Sequence, residues 1–137
     1  MYSTIMVPVD LAHTDKLEKA LKTAADLAKH YGAPVTYLGA TPPTPSPVAH
    51  TPEEFGQKLA AFAEKQGSGN GIETKSKWVI SHDPAVDLVD VLITAIEDTG
   101  ADLVVMGSHQ PGMSDHVFAS HAGYVASHAH TSVMVVR

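Results

Sequence analysis

The chain contains no cysteine. That excludes a disulfide framework, thiolate zinc sites, iron–sulfur ligation and a cysteine nucleophile. No stretch approaches the roughly 20 consecutive apolar residues of a membrane-spanning helix. The opening segment reaches Asp10 with no basic residue ahead of it, so no signal peptide is expected and the expected location is the cytoplasm. No Gly-Lys pair exists, which removes a Walker-type phosphate loop, and no Gly-x-Ser-x-Gly nucleophile elbow is present. Positive charge is missing from half of the chain: residues 78–136 hold seven acids, six of the nine histidines and no Lys or Arg, and the single arginine is Arg137. The net charge of −6 argues against nucleic acid as a main partner, because phosphate backbones are met by Lys and Arg. Any anion site in that half must rely on backbone N–H groups, hydroxyls, a metal ion or histidine.

What is present describes one soluble globular domain over residues 1–137, with 44% apolar against 18% charged residues. Residues 4–9 form a short apolar run ending at Asp10. Leu17, Ala20, Leu21, Ala24, Leu27, Ala28 and Tyr31 then recur at helical spacing. Asp15, with Glu18 three places on, predicts the start of that helix, and Gly32 before Pro34 its end. Residues 35–40 read as a second strand. The proline-rich stretch 41–50 reads as a loop, followed by a capping box at Thr51 and Glu54 with Pro52 at the first helical position. Gly67, Gly69 and Gly71 read as the end of that helix and a linker, because a dinucleotide glycine fingerprint needs the opposite context, strand then helix. Residues 72–80, with Lys75 and Lys77, read as a strand at a sheet edge. Asp83-Pro84 predicts a helix start, 102–107 a buried strand, Ser114 or Asp115 the last helix, and 132–136 the last strand.

Strands alternating with helices run parallel through right-handed crossovers. The expected fold class is therefore α/β: one doubly wound, five-stranded parallel sheet with helices on both faces. In such sheets ligands bind at the carboxyl ends of the strands, where the strand order reverses. The loop that follows the buried strand 102–107, Gly107-Ser108-His109-Gln110-Pro111-Gly112-Met113-Ser114, leads into a helix. A glycine there lets a ligand approach the backbone, and helix N-terminal amides and Ser hydroxyls can hold an anion. Asp10 has two readings, a cap for the turn that follows it and a ligand contact. Ser120 likewise either bonds locally or meets a phosphate. His116, His121, His128 and His130 crowd one helix and the turn after it. His121 and His128 stand seven apart, whereas metal ligands on a helix more often stand three or four apart. Solvated or interface histidines are the preferred reading, ahead of a pH-sensitive or metal site.

Three segments carry a family resemblance. They are Val7-Pro8-Val9-Asp10, the run from Ala101-Asp102 through Met106-Gly107-Ser108-His109, and Ala119-Ser120 followed by His128-Ala129 and Ser132-Val133-Met134-Val135-Val136. Together they resemble the universal stress protein family, and specifically its short, nucleotide-binding members. The resemblance implies strand order 3-2-1-4-5, a homodimer and bound ATP, with Mg²⁺ on its phosphates. Gly107 matches the first glycine of the family's phosphate pattern. Gln110 stands where the second belongs, Ala119 stands at the third, one residue early, and Ser120 matches the terminal hydroxyl. Asp10 matches the acid that contacts the adenosine portion, and Ala40 falls where a residue meets adenine. His109 is a cation candidate beside the phosphates. The candidate nucleotide-binding set implied is Pro8, Val9, Asp10, Ala40, Met106, Gly107, Ser108, His109, Gln110, Ala119, Ser120 and His121. The expected dimer contact is strand 132–136. The expected function is a stress-response regulator or sensor that binds an adenine nucleotide. Catalysis is not the leading reading, because no base is paired with a plausible nucleophile and no Lys or Arg lies near the loop. The rivals are a nucleotide-free interaction module of the same fold and a histidine-dependent, metal-assisted hydrolase.

Overall fold

The computed structural model describes residues 1–83, 87–108 and 115–137, with 115–121 described as backbone alone. Five strands form one parallel sheet: β1 (Ile5–Pro8), β2 (Val35–Thr41), β3 (Thr74–Ile80), β4 (Leu103–Gly107) and β5 (Ser132–Val136). Their order is β3-β2-β1-β4-β5, the doubly wound arrangement expected. The helices are α1 (Glu18–Tyr31), α2 (Pro52–Asn70), α3 (Leu88–Thr99) and α4 (Asp115–His128), with a 3-10 helix over Leu11–Leu17.

Hydropathy accounts for the interior strands and for one edge. The apolar runs of β1 and β4 are adjacent and enclosed in the interior, with buried β2 on the other side of β1, while β3, with exposed Lys75, takes an edge. Alternate strand residues serve opposite faces. Ile5, Val7, Val35, Tyr37, Leu103 and Val105 pack with Leu21 and Ala24 of α1 and Phe55, Leu59 and Ala63 of α2. Met6, Leu38, Val104 and Met106 pack with Leu92, Ala95 and Ile96 of α3 and Ala122 and Val125 of α4.

Two local readings give way. Asp15 does not open the first helix. The chain turns directly out of β1 because the Asp10 carboxylate accepts the Ala12 amide at 3.0 Å, and α1 begins only at Glu18. The glycine cluster is not a linker after the helix. α2 runs to Asn70 and ends at Gly71, whose φ of +67° suits a left-handed cap. Gly67 is buried within the last turns, where an added Cβ would stand 2.6 Å from the Thr74 hydroxyl; the glycine is there for helix–strand contact. The described part of α3 starts at Leu88, with Asp87 in the N-cap position and its carboxylate turned to the Ser81 hydroxyl. Pro84 lies outside the described residues.

Two polar groups in this frame carry predictions. Asp102 ties the N-terminus to β4 by accepting the Ser3 amide at 2.8 Å, the Thr4 amide at 2.9 Å and the Ser3 hydroxyl at 3.1 Å. Burial alone would raise its pKa, but these donors outweigh that and hold the carboxyl below the usual carboxylate range. A lowered folded-state pKa means that the stabilisation is present above the unfolded value of about 3.9 and is lost as pH falls through the folded value. Asp102→Ala should therefore cost about 1–2 kcal/mol at neutral pH, discounted for solvent access. Urea unfolding at pH 7 and pH 3 should show the gap to wild type closing in acid; an equal gap at both would contradict the account. Tyr37 is the converse case. Its hydroxyl is buried with no partner among the described residues, and burial pushes its pKa up to about 12. Tyr37→Phe removes an orphan polar group and should be neutral or stabilising by up to about 1 kcal/mol in the same assay. A clear loss would reveal a missing partner.

Candidate functional site

A cavity of about 290 Å³ opens at the carboxyl ends of β1, β2 and β4. Its position follows from topology: the chain leaves β1 towards β2 on one side, while β4 pairs on the other. The two crossovers diverge and leave a crevice between them. Pro8, Val9 and Asp10 enter from β1, Leu38, Ala40 and Thr41 from β2, and Met106 and Gly107 from β4. Leu88 and Leu92 of α3 and Phe55 of α2 add apolar walls.

The cavity is an apolar slot with few polar handles. The Thr41 hydroxyl donates to the Pro42 carbonyl, that of Ser46 to the Ala49 carbonyl, and that of Ser81 to Asp87. The Ser81 hydroxyl, ahead of the other contacts, holds the Asp87 carboxyl below the usual range. Asp10 is only partly occupied. One oxygen accepts the Ala12 amide and the other lies 2.9 Å from His13 Nδ1. A carboxylate offers about four acceptor sites, so each oxygen can take another donor. Both readings of Asp10 are thus compatible: it caps the turn and faces the cavity.

The backbone supplies a second handle. The last β1–β2 bond runs from the Val9 amide to the Leu38 carbonyl at 2.8 Å. Alternation along β2 turns the Ala40 amide and carbonyl to that same side, beyond the end of β1. Ala40 thereby presents a neighbouring donor and acceptor towards the cavity. No Lys or Arg is among the described residues that line it.

Six of the twelve candidate residues line this cavity: Pro8, Val9, Asp10, Ala40, Met106 and Gly107. Ser108 is not among the lining residues, and its amide donates to the Val136 carbonyl at 2.7 Å, extending the β4–β5 ladder. Gly107 has a packing role beside its place in the lining: a Cβ there would stand 3.0 Å from Leu17. His109 and Gln110 lie outside the described residues. Ala119, Ser120 and His121 belong to α4, and their side chains lie outside the description. Sequence reasoning missed Leu11 and Ala12 of the 3-10 helix and Ser46, Pro47 and Val48 of the proline-rich loop. The available signal was that this loop leaves the carboxyl end of a central strand.

Among the described residues no group of three or more His, Asp or Glu is placed to hold a metal ion. His128 stacks on Tyr124, with centroids 3.8 Å apart, and its Nδ1 lies 2.9 Å from the Tyr124 carbonyl. That is a local helix-end contact.

The family model described as the universal stress protein family matches residues 1–137. Universal stress protein G of Escherichia coli O157:H7 is 31% identical over 148 aligned positions, covering 100% of both chains. Among solved structures, a universal stress protein in complex with cAMP is similar with a TM-score of 0.73 at 20% identity, covering 99% of this chain and 97% of the other. The universal stress protein from Archaeoglobus fulgidus in complex with dAMP gives 0.70 at 22% identity, covering 99% and 98%.

Proposed function

Because the chain belongs to the universal stress protein family, we propose that it is a small cytoplasmic stress-response regulator or sensor that holds an adenine nucleotide in the cavity at the ends of β1, β2 and β4. The carrying observation is that one slot combines apolar walls with an edge of polar groups. Adenine is flat, apolar on its faces and polar at its rim. Leu38, Leu92 and Met106 suit the ring faces. The Ala40 amide and carbonyl suit a ring nitrogen and the exocyclic amine, and Asp10 can accept from a ribose hydroxyl. The cAMP and dAMP complexes of two proteins with this fold support the reading.

Pro8, Val9 and Gly107 complete the nucleoside end. The phosphates run towards Ser108, His109 and Gln110 and the start of α4, with Ala119, Ser120 and His121. ATP, with Mg²⁺ offsetting its charge, is the proposed full ligand, since no Lys or Arg occurs in residues 78–136. Because Ser108 N–H is already bonded, the Ser108 hydroxyl and later groups take that role. Calorimetry with AMP, cAMP and Mg-ATP tests the reading. Saturable binding of at least one below millimolar concentration is expected. No saturation by any of them leaves the nucleotide-free interaction module in its place.

We also propose a homodimer through β5. This strand ends the sheet, and Met134 and Val135 are 39% and 38% exposed on it. An apolar edge without charge or bulge favours pairing with a second copy about a two-fold axis. Val135→Lys should move the sedimenting species towards the 14.5 kDa chain; a wild type that already sediments at that mass rules the pairing out.

A further inference from the structure

One wall of the cavity comes from no strand or helix. It is the turn carrying Ser46, Pro47 and Val48, in the irregular stretch between β2 and α2. The Ser46 amide donates to the Ala49 carbonyl at 2.8 Å, and the Ser46 hydroxyl accepts the Val48 and Ala49 amides at 3.3 Å. These bonds shape the turn internally, and Ala49 is buried in the core beside it. They do not fix its tip. Pro47 and Val48 have the cavity on one side and an open groove on the other, lined by Leu11, Ala12, Thr14, Lys58 and Phe62. Val48 is partly buried against the core, but Pro47 is exposed, and a wall with open space on both sides is held only in part by such packing.

Helix α2 supplies the outside hold. Lys58 Nζ donates to the Val48 carbonyl, and Glu54 accepts the His50 amide at 3.1 Å. The two side chains stand one turn apart and meet at 3.4 Å. An exposed ion pair between them would contribute little by itself. Here the lysine reaches past its helix neighbour to the backbone of a cavity-lining residue ten positions earlier. α2 does not depend on it, having its own cap at Thr51 and a buried face of Phe55, Leu59 and Ala63.

We propose that Lys58, oriented by Glu54, is a positioning residue for the nucleotide cavity: by holding the Val48 carbonyl it keeps the Pro47–Val48 wall closed against the nucleoside part of the ligand. This rests on the nucleotide reading above. Pre-organising a wall raises affinity by removing an ordering cost from the binding step. Lys58 is 51% exposed, so changing it leaves the core untouched.

The test uses the full chain, with AMP as probe, and two substitutions. Lys58→Met keeps the aliphatic stem and removes the donor; Lys58→Arg keeps a donor. Lys58→Met should weaken AMP binding about five- to tenfold and speed amide hydrogen exchange at residues 48–50 in the ligand-free protein. Its melting temperature without ligand should stay within about 1–2 °C of wild type, and Lys58→Arg should bind AMP within about twofold of wild type. AMP binding unchanged in Lys58→Met overturns the proposal. So does a loss of affinity that tracks a fall in ligand-free melting temperature and is not rescued by Arg, because that is general destabilisation. If wild type itself fails to bind AMP, the nucleotide reading falls and this proposal falls with it. Binding by wild type with no effect of Lys58→Met defeats this proposal alone.

Discussion

Ala40→Phe should reduce AMP affinity by more than about 100-fold, a loss of about 2.8 kcal/mol or more, while the protein stays folded. Ala40 sits at the end of β2 in the lining of a cavity of about 290 Å³. A benzyl group added there occupies space that the nucleoside would need. Overpacking normally costs 1–3 kcal/mol because a dense core has nowhere to yield, on the order seen across core substitutions. Here the space is open, so little destabilisation is expected. Calorimetry with AMP, read beside thermal unfolding, separates the two effects. Affinity near that of wild type would show that the ligand does not enter past Ala40.

Gly39→Val, one residue earlier, should behave in the opposite way. The neighbouring residue faces the other side of the sheet. A Cβ at Gly39 would stand 2.8 Å from both Cε1 and Cζ of Phe55 and 3.2 Å from Leu59. Phe55 is buried in the core shared by α2 and β2 and also lines the cavity, so making room for valine drives its ring towards that space and disturbs the packing of α2. The higher strand propensity of valine recovers only part of this. A loss of about 3 kcal/mol is expected in urea unfolding, with a melting temperature roughly 10 °C lower. A loss below about 1 kcal/mol would mean that α2 yields readily there. Adjacent positions in one strand thus differ in their main effect: Ala40 fills the cavity directly, and Gly39 acts first on the packing of α2 through Phe55.

This division was only partly visible in the amino-acid sequence. The central pair and one edge of the sheet were legible because β1 and β4 are apolar throughout and β3 carries Lys75 and Lys77, while the full strand order was implied by resemblance to the family. Helix ends were less legible because cap signals compete. Asp15 and Glu18 satisfy a capping pattern, yet the Asp10 carboxylate captures the Ala12 amide first and the chain enters a 3-10 helix. Gly67 resembles punctuation in sequence, but in space it is the point where α2 lies against Thr74. Such a contact across the α2–β3 turn depends on how the helix lies against the strand and leaves no periodic signature in the sequence.

The cavity divides along the same line. Pro8, Val9, Asp10, Met106 and Gly107 follow strands whose ends can be read from the sequence, and all line it. Pro47 and Val48 come from an irregular segment placed by Lys58 and Glu54, and no periodicity points to them. His109 and Gln110 fall outside the described residues, so their proposed place beside the phosphates rests on resemblance to the family.

The most direct measurement is a titration of isotopically labelled protein with AMP, followed by backbone amide chemical shifts. The account predicts saturable shifts at Val9, Asp10, Ala12, Ala40, Thr41 and Gly107, which surround the cavity, with little change along α1 or the exposed face of β3. No shifts at millimolar AMP, or saturable shifts confined to residues away from this cavity, would contradict it.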